Sequence, residues 1–291
     1  MEQIYLLNRK TQQITVEQPP GEKGLIWLYK DSFVSRIAKK VLTHSPKLSS
    51  FYAFFQNSRL SRRSIQPFIE KYKIDDNEFL EPISQYKSFN AFFQRKLKPG
   101  ARIIDERPNY FTSPADGRLK ILKDLTDFEI KGSHFDLQKF LSDKNLYCRF
   151  HDCQLVAIRL APDDYHRLHA PLDATCTQIL HVDGPLYSVS PIALRKKWSI
   201  LNENKRIIID FEDFLLVLVG ATFVGSMHLN IKPQDFVRKG EEIGWFSFGG
   251  SMCICCLKPH VAIDEDLFYP HGEVLVRMGE SIASFSLSEE V

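Results

Sequence analysis

Residues 207–220 of the 291-residue chain read IIIDFEDFLLVLVG. Two apolar runs flank the acidic turn Glu212-Asp213, a pattern that predicts two strands. Apolar residues alternate again at residues 155–160 and 274–278. Strands at this density predict an antiparallel barrel or sandwich in the part of the chain after residue 100.

Helical periodicity dominates the chain before that point. Apolar residues recur at four-residue steps from Asp31 onward, which predicts an amphipathic helix. Further helices are predicted at residues 64–72 and 88–97, and a short strand-like segment at residues 1–20. The predicted fold class is therefore α+β, a β-rich antiparallel body with a helical N-terminal region.

Two domains are predicted from this change of pattern: a mainly helical, basic region at residues 1–100 and a β-rich domain at residues 101–291. The hydrophobic fraction of 44% and the charged fraction of 25% are ordinary for a soluble globular protein. The uncharged apolar stretch at residues 214–225 is shorter than the roughly 20 residues of a membrane-spanning helix. We therefore expect neither a membrane-spanning helix nor a signal peptide.

Positive charge is concentrated in the N-terminal region, although the net charge of the chain is only +2. Residues 1–100 contain 17 Lys and Arg against 9 Asp and Glu. Arg36, Lys39 and Lys40 form the polar side of the first predicted helix, and an aromatic cluster follows at residues 51–55. This local excess indicates an anionic partner, which could be lipid, nucleic acid or an acidic protein. Alternatively, the helix packs on the β body and its charges are only solvated.

Six cysteines lie at positions 148, 153, 176, 253, 255 and 256. The Cys253-Ile254-Cys255-Cys256 cluster lacks the spacing and the paired histidines of a zinc site, and its neighbours are apolar. Because free cysteine packs as a small hydrophobe, this cluster is predicted to be a buried strand rather than a metal or redox site. No metal site is predicted, and reduced thiols favour a cytosolic compartment.

Three short segments carry groups suited to chemistry. Asp116 precedes a glycine in a Pro-Ala-Asp-Gly turn, and His166 and His169 lie three residues apart. Ser251 follows two glycines. A serine nucleophile needs a base, and the base needs an orienting acid, which these segments together could supply. Each also has a structural explanation: a turn aspartate, hydrogen-bonded surface histidines, and a β-bulge at Gly249-Gly250.

Six motifs occur in a fixed order along the chain: YKSFNAFFQRKLKPG at 86–100, PADG at 114–117, DYHRLHAP at 164–171, VGATFVGS at 219–226, KGEEIG at 239–244 and FSFGGS at 246–251. Taken together and in this order, they resemble the motifs of the phosphatidylserine decarboxylase family of the bacterial, self-processing, pyruvoyl-dependent type. The resemblance covers most of the chain. One departure is Met252, where the family often has Thr or Ser; the attacking oxygen belongs to Ser251, so we expect processing to survive.

The resemblance implies that the chain cuts itself between Gly250 and Ser251. The Ser251 Oγ attacks the carbonyl of Gly250 and turns the amide into an ester. His169 takes the serine proton, and Asp116 holds the tautomer of His169, as in a serine protease. Loss of the α-proton and release of ammonia then convert Ser251 into an N-terminal pyruvoyl group.

The resemblance also implies the substrate and the reaction. The pyruvoyl group made from Ser251 is the cofactor: it forms a Schiff base with the amine of phosphatidylserine and accepts the electrons as carbon dioxide leaves, which yields phosphatidylethanolamine. His166 is the family-matched acid that protonates the carbon. The β-rich domain is then catalytic, and the cut leaves fragments 1–250 and 251–291 associated.

Membrane contact follows from a lipid substrate. We expect a carboxy-lyase bound peripherally at the cytoplasmic face of the cell membrane, attracted to anionic lipid and able to form a homodimer, with no nucleic-acid partner. Two alternatives stay open: a related pyruvoyl decarboxylase acting on a soluble amino acid, and a basic lipid-binding protein that is not an enzyme. The presence of all four site residues counts against the second.

Overall fold

The structure is a computed structural model. Parts of three predicted features lie outside the described residues: the basic side of the helix from Asp31, most of the aromatic cluster at 51–55, and Gly250. The described residues are 3–17, 22–29, 32, 35, 43, 54–122, 135–221, 226–249 and 251–285.

Strands make up the large central part of the fold. In chain order they are β1 (Ile4–Asn8), β2 (Ile14–Glu17), β3 (Tyr110–Thr112), β4 (Gly117–Leu122), β5 (Gln154–Leu160), β6 (Arg167–His169), β7 (Ala174–Thr175), β8 (Gln178–Val182), β9 (Arg206–Asp210), β10 (Phe214–Gly220), β11 (Met227–Leu229), β12 (Phe236–Val237), β13 (Glu242–Phe246), β14 (Ser251–Leu257), β15 (Val261–Ile263), β16 (Gly272–Val276) and β17 (Ser281–Phe285).

Nine of these strands form one sheet, in the order β2-β1-β16-β4-β5-β14-β10-β9-β8. Neighbouring strands run antiparallel except β1 and β16, which pair in parallel. Three smaller sheets have the orders β11-β13-β6, β12-β7 and β15-β17-β3. The β-rich body of the predicted α+β fold is therefore confirmed, with one parallel pair next to the edge strand β2.

Two hydrophobic cores cover the large sheet. Cys253 and Cys255 of β14 face a core shared with the small sheets, whereas Ile254 and Cys256 face a core shared with helices. Because β14 and its neighbour β10 are buried on both faces, their sequences are continuous apolar runs. The buried strand predicted for the cysteine cluster is confirmed, and all six cysteines are free thiols.

Short helices cover one side of this sheet and form most of the N-terminal part. The helix predicted at residues 64–72 is confirmed. Among the described helices, none has the length and apolar character needed to cross a bilayer. The α-helices are α1 (Glu22–Leu28), α2 (Ile65–Tyr72), α3 (Phe89–Phe93), α4 (Leu137–Leu141), α5 (Lys144–Phe150), α6 (Pro191–Leu194) and α7 (Ile200–Glu203), with 3₁₀ turns at Arg59–Ser64, Asp76–Glu78, Ile83–Gln85 and Glu265–Leu267.

The helix predicted at residues 88–97 is shorter in the structure. It begins after Ser88, whose hydroxyl accepts a hydrogen bond from the amide of Ala91, and it ends at Phe93. A turn at Gln94 follows, and Leu97 pairs with Phe79 in an isolated β-bridge. The prediction of a helix to Leu97 is wrong because this tertiary pairing replaces the helical hydrogen bonds. The aromatic side chains of α3 pack with α2 in a third core.

Candidate active site

Ser251 is the first residue of β14, the strand between β5 and β10. Its backbone pairs with Leu160 on one side and with Gly220 on the other. The side chain is fully buried, and its Oγ has no hydrogen-bond partner among the described residues. Because buried hydroxyls are normally hydrogen-bonded, this orphaned oxygen is a candidate for a reactive group.

The backbone before Ser251 turns at Gly249, whose φ is 140°. Glycine enters this region readily, whereas residues with a Cβ enter it at a cost. The ring of Phe248 packs between Phe89 and Phe93 of α3, with centroid distances of 5.0 and 4.9 Å. The aromatic core around α3 therefore holds the segment that leads into Ser251.

His166 is fully buried beside the same helix, with its ring centroid 3.8 Å from that of Phe93. Its Nδ1 lies 2.9 Å from the carbonyl oxygen of Asp164. Because a carbonyl only accepts, Nδ1 carries the proton and Nε2 carries the lone pair. That Nε2 has no partner among the described residues. Burial lowers the pKa of His166 to about 3, so the ring is neutral at physiological pH.

His169 ends β6 and is held at three atoms. Its Nδ1 lies 2.8 Å from the carbonyl oxygen of Gly240, which places the proton on Nδ1. Its Nε2 lies 3.2 Å from the hydroxyl of Tyr165, which donates to it. Its amide donates to the carbonyl of Pro114, two residues before Asp116. Burial is the main cause that lowers the pKa of His169, so the ring is neutral near neutral pH and its Nε2 carries the lone pair to which Tyr165 donates.

Asp116 lies in the turn between β3 and β4 and is buried. Its carboxylate accepts from Nε and Nη2 of Arg102 at 2.9 and 2.6 Å, and from the amide of Met278 at 2.8 Å. Within the described part of the chain no hydrogen bond joins it to His169, whose Nδ1 bonds Gly240 instead. The charge of Asp116 still acts to raise the pKa of His169, against the larger effect of burial.

Three contact residues were missed by reasoning from the sequence: Arg102, Tyr165 and Gly240. Tyr165 and Gly240 lie inside the motifs DYHRLHAP and KGEEIG, so the motifs contained the signal although no role was assigned to these residues. Arg102 lies just after the first motif, and its local sequence does not mark it. Its importance appears only in three dimensions, where it bridges Asp116 and Glu78.

A cavity of about 490 Å³ opens beside Asp116 and Tyr165. Its lining includes charges of both signs, among them Arg118 and Asp164. Desolvation raises the pKa of Asp164 to about 6, although the charge of Arg118 opposes this shift. Across the residues that the structure describes, no three His, Cys, Asp or Glu side chains are grouped as a metal ion would need.

Comparison with known proteins places the chain among decarboxylases. A family model described as phosphatidylserine decarboxylase matches residues 89–284, which include all four predicted site residues. The phosphatidylserine decarboxylase proenzyme of Fusobacterium nucleatum is 39% identical over 275 residues, covering 91% of each chain. Those of Ruminiclostridium cellulolyticum and Chlamydia trachomatis are 37% and 34% identical over 293 residues, covering 97% of each chain.

The chain therefore belongs to the phosphatidylserine decarboxylase family, whose members are carboxy-lyases. The resemblance found in the sequence motifs is confirmed.

Proposed function

We propose that this chain is a self-processing phosphatidylserine decarboxylase whose reactive group is made from Ser251. The observation that carries the proposal is the buried Oγ of Ser251, which lacks a partner among the described residues. The relatives named above are called proenzymes, which supports a chain that is processed before it acts. The positive φ of Gly249 supports a cut at the Gly250–Ser251 bond that follows.

In the proposed self-cleavage, Ser251 Oγ attacks the carbonyl carbon of Gly250 and turns the amide into an ester. His169 Nε2 takes the hydroxyl proton, while the carbonyl of Gly240 keeps the other proton on Nδ1. Asp116 contributes negative charge, which favours the imidazolium that forms. Loss of the α-proton of Ser251 then breaks its Cβ–O bond and frees a carboxylate. Hydrolysis by one water releases ammonia and leaves the pyruvoyl group.

The site is suited to a pyruvoyl group at residue 251. Before the cut, β14 pairs along seven residues with β5 and along seven with β10, both of which belong to fragment 1–250. The same pairing would keep fragment 251–291 in the sheet afterwards. The pyruvoyl carbonyl supplies the electron sink that a decarboxylation needs and that no amino-acid side chain supplies.

His166 has the properties of the proton carrier for the decarboxylation. Its Nε2 lone pair is free of partners among the described residues, and burial keeps the ring neutral. The ammonium group of phosphatidylserine must lose a proton before its amine becomes nucleophilic. We assign Nε2 of His166 as the site through which a proton reaches the carbon that loses carbon dioxide.

The exposed N-terminal surface supports docking on an anionic membrane. Phe54, Phe55 and Leu60 expose 74%, 48% and 66% of their surfaces, beside the arginines of the 3₁₀ turn Arg59–Ser64. Apolar side chains can enter the headgroup layer, and each arginine near an anionic surface contributes about 1 kcal/mol. The proposal therefore includes peripheral binding at the cytoplasmic face of the membrane, where the acyl chains of the substrate remain in the bilayer.

The deciding experiment combines fragment analysis with a lipid assay. The purified wild-type chain should give fragments 1–250 and 251–291, and mass spectrometry of the smaller one should show a pyruvoyl terminus. Ser251→Ala should remain one chain and release no carbon dioxide from phosphatidylserine vesicles. A wild-type chain that decarboxylates these vesicles without being cut would refute the proposal. Activity on free serine or tryptophan but not on vesicles would favour the soluble-substrate alternative.

A further inference from the structure

Two polar side chains of the α3 segment hold the backbone that leads to the cut. We propose that Asn90 and Gln94 are positioning residues for self-cleavage: they fix Ser247 and Phe248 and thereby position the bond to be cut for attack by Ser251. This inference rests on the self-cleavage proposed above. It assigns a role in maturation to the first family motif, which the mechanism has not yet used.

Asn90 binds the segment through its side-chain oxygen. Its Oδ1 accepts from the amide of Phe248 at 2.9 Å and from Nε2 of Gln94 at 3.1 Å. Its Nδ2 donates to Oδ1 of Asn57 at 2.8 Å, which fixes the orientation of the amide. The oxygen of Asn90 is therefore directed at the backbone of the segment.

Gln94 binds the preceding residue. Its Nε2 donates to Oγ of Ser247 at 3.0 Å, and Nε2 of His228 lies 3.1 Å from the same oxygen. The His228 ring stacks on Trp245, with the centroids 4.9 Å apart. The hydroxyl of Ser247 is therefore held between α3 and the small sheet.

The end of α3 is tied to the strand that carries the proposed base. Arg167, two residues before His169, donates from Nε and Nη2 to the carbonyl of Gln94 at 2.9 and 2.7 Å. Its Nη1 also binds Glu242 of β13 at 2.6 Å. One framework therefore holds both the segment to be cut and the imidazole proposed to start the cut.

The two glycines explain why such an anchor is needed. Gly249 and Gly250 have no side chains to restrict their backbone, so Phe248 is the last residue before the cut that side-chain contacts can fix. A displacement of about 1 Å at a reacting atom can slow a reaction roughly 100-fold. Loss of the Asn90 contact should therefore affect the rate of cleavage more than it affects folding.

The test follows cleavage of full-length chains made by cell-free translation. Asn90→Ala should slow the appearance of the two fragments at least tenfold, and Gln94→Ala should slow it to a smaller extent. Asn90→Asp keeps an acceptor oxygen for the Phe248 amide and should restore part of the rate. Gln66→Ala is the matched control, because the Gln66 side chain donates only to the exposed carboxylate of Glu70 on α2 among the described residues, and its rate should equal that of the wild type.

Hydroxylamine distinguishes positioning of the attack from the later steps, because it cuts the ester formed by Ser251 and spares the amide. Folded Asn90→Ala chains should resist hydroxylamine. Rapid cutting of this variant by hydroxylamine, or self-cleavage at the wild-type rate, overturns the inference. If Asn90→Ala fails to fold, a wild-type rate for Gln94→Ala overturns it. An uncut wild-type chain refutes the self-cleavage as well, so the two failures are distinguishable.

Discussion

The Nδ1 atom of His169 lies 2.8 Å from the carbonyl oxygen of Gly240, while the carboxylate of Asp116 is held by Arg102. A carbonyl fixes the same tautomer as a carboxylate would, but it does not add a full negative charge to stabilise the imidazolium. In the proposed mechanism His169 therefore acts as a neutral, weakly basic imidazole, and its protonation state controls the cut.

Replacing His169 should block maturation. His169→Ala removes the proposed base, so the rate of cleavage should fall by roughly 10²–10⁴ and uncut chain should accumulate on denaturing gels. His151→Ala is the control, since His151 is an exposed histidine that bonds the carbonyl of Cys148. Because burial lowers the pKa of His169 from 6.5, wild-type cleavage should slow only when the pH falls below that value. Normal cutting of His169→Ala would assign the base elsewhere.

Replacing His166 should separate cutting from turnover. His166→Ala should be cut into two fragments, because the proposed role of His166 begins only after maturation. Its turnover of phosphatidylserine vesicles should fall by roughly 10²–10⁴, the usual contribution of a placed proton carrier. Both readouts come from one preparation, by gel and by release of carbon dioxide. Full turnover would remove His166 from the proposed mechanism.

The buried His166 should also make stability depend on pH. In the unfolded chain it titrates near 6.5, and in the folded chain its pKa is about 3. Between these values the unfolded chain binds more protons than the folded chain. The contribution of His166 to the free energy of unfolding is therefore fully present above pH 6.5, and it falls by about 1.4 kcal/mol per pH unit as the pH drops toward the folded pKa. The uncut single variant Ser251→Ala should therefore lose more unfolding free energy at low pH than the double variant Ser251→Ala, His166→Phe.

Asp164 must be considered in that comparison. Its pKa is raised to about 6, so its own contribution runs the opposite way: it is complete below the unfolded value of 3.8 and is lost as the pH rises through 6. Because Asp164 is present in both proteins, the difference between their denaturant curves isolates His166. Equal pH dependence in the two proteins would show that His166 is not held neutral in the folded state.

The ion pairs of Arg159 should hold the two fragments together. Arg159 on β5 donates from Nε to Glu273 of β16 at 3.1 Å, and it also binds Glu17 of β2. Glu273 belongs to fragment 251–291, whereas the other two residues belong to fragment 1–250. Removing one member of a buried ion pair typically costs about 3–5 kcal/mol. When Arg159→Met is added to the uncut Ser251→Ala chain, the unfolding free energy should therefore fall by about 3–5 kcal/mol.

The control for Arg159 is Arg107→Met. Arg107 pairs with Asp105, and 56% of its side-chain surface is exposed, so its replacement should change the unfolding free energy far less than replacement of Arg159 does. In mature protein, Arg159→Met should release fragment 251–291 at a lower urea concentration than Arg107→Met does. Equal release would show that strand pairing alone retains the fragment.

The exposed apolar and basic residues before α2 should contribute to vesicle binding. Phe54→Ser with Leu60→Ser should weaken sedimentation with phosphatidylserine vesicles at all salt concentrations. Arg62→Glu with Arg63→Glu should weaken it mainly at low salt, where charge is least screened. Ile103→Ser is the control, an 84% exposed residue outside this basic turn. Unchanged sedimentation of both pairs would place the membrane contact elsewhere.

Local pattern predicted the strands better than their partners. The continuous apolar runs of β10 and β14 are visible in the sequence because both faces of these strands are buried. The parallel pairing of Tyr5 with Gly272 has no local signal, since it joins segments near opposite ends of the described chain. The early end of α3 was missed for the same reason, because it depends on a bridge between Leu97 and Phe79.

The candidate active site shows the same contrast between features that the local sequence reveals and contacts that form only in the fold. Motifs located the four candidate residues, whereas the groups that hold them lie outside those short segments. Arg102 is 14 residues from Asp116, and Gly240 is 71 residues from His169. The hydrogen bond of His169 to a carbonyl could not be read from a motif. The roles of the site residues, the domain division at residue 100 and homodimer formation stay predictions.

The place of β14 in the sheet has a consequence for biosynthesis. This strand lies between β5 and β10 but follows both in the chain, so the ribosome releases its two neighbours before it. We expect a gap to remain between them until β14 emerges and fills it. Ser251 reaches its buried surroundings only at that late moment, so a nascent chain that still lacks β14 cannot cut itself.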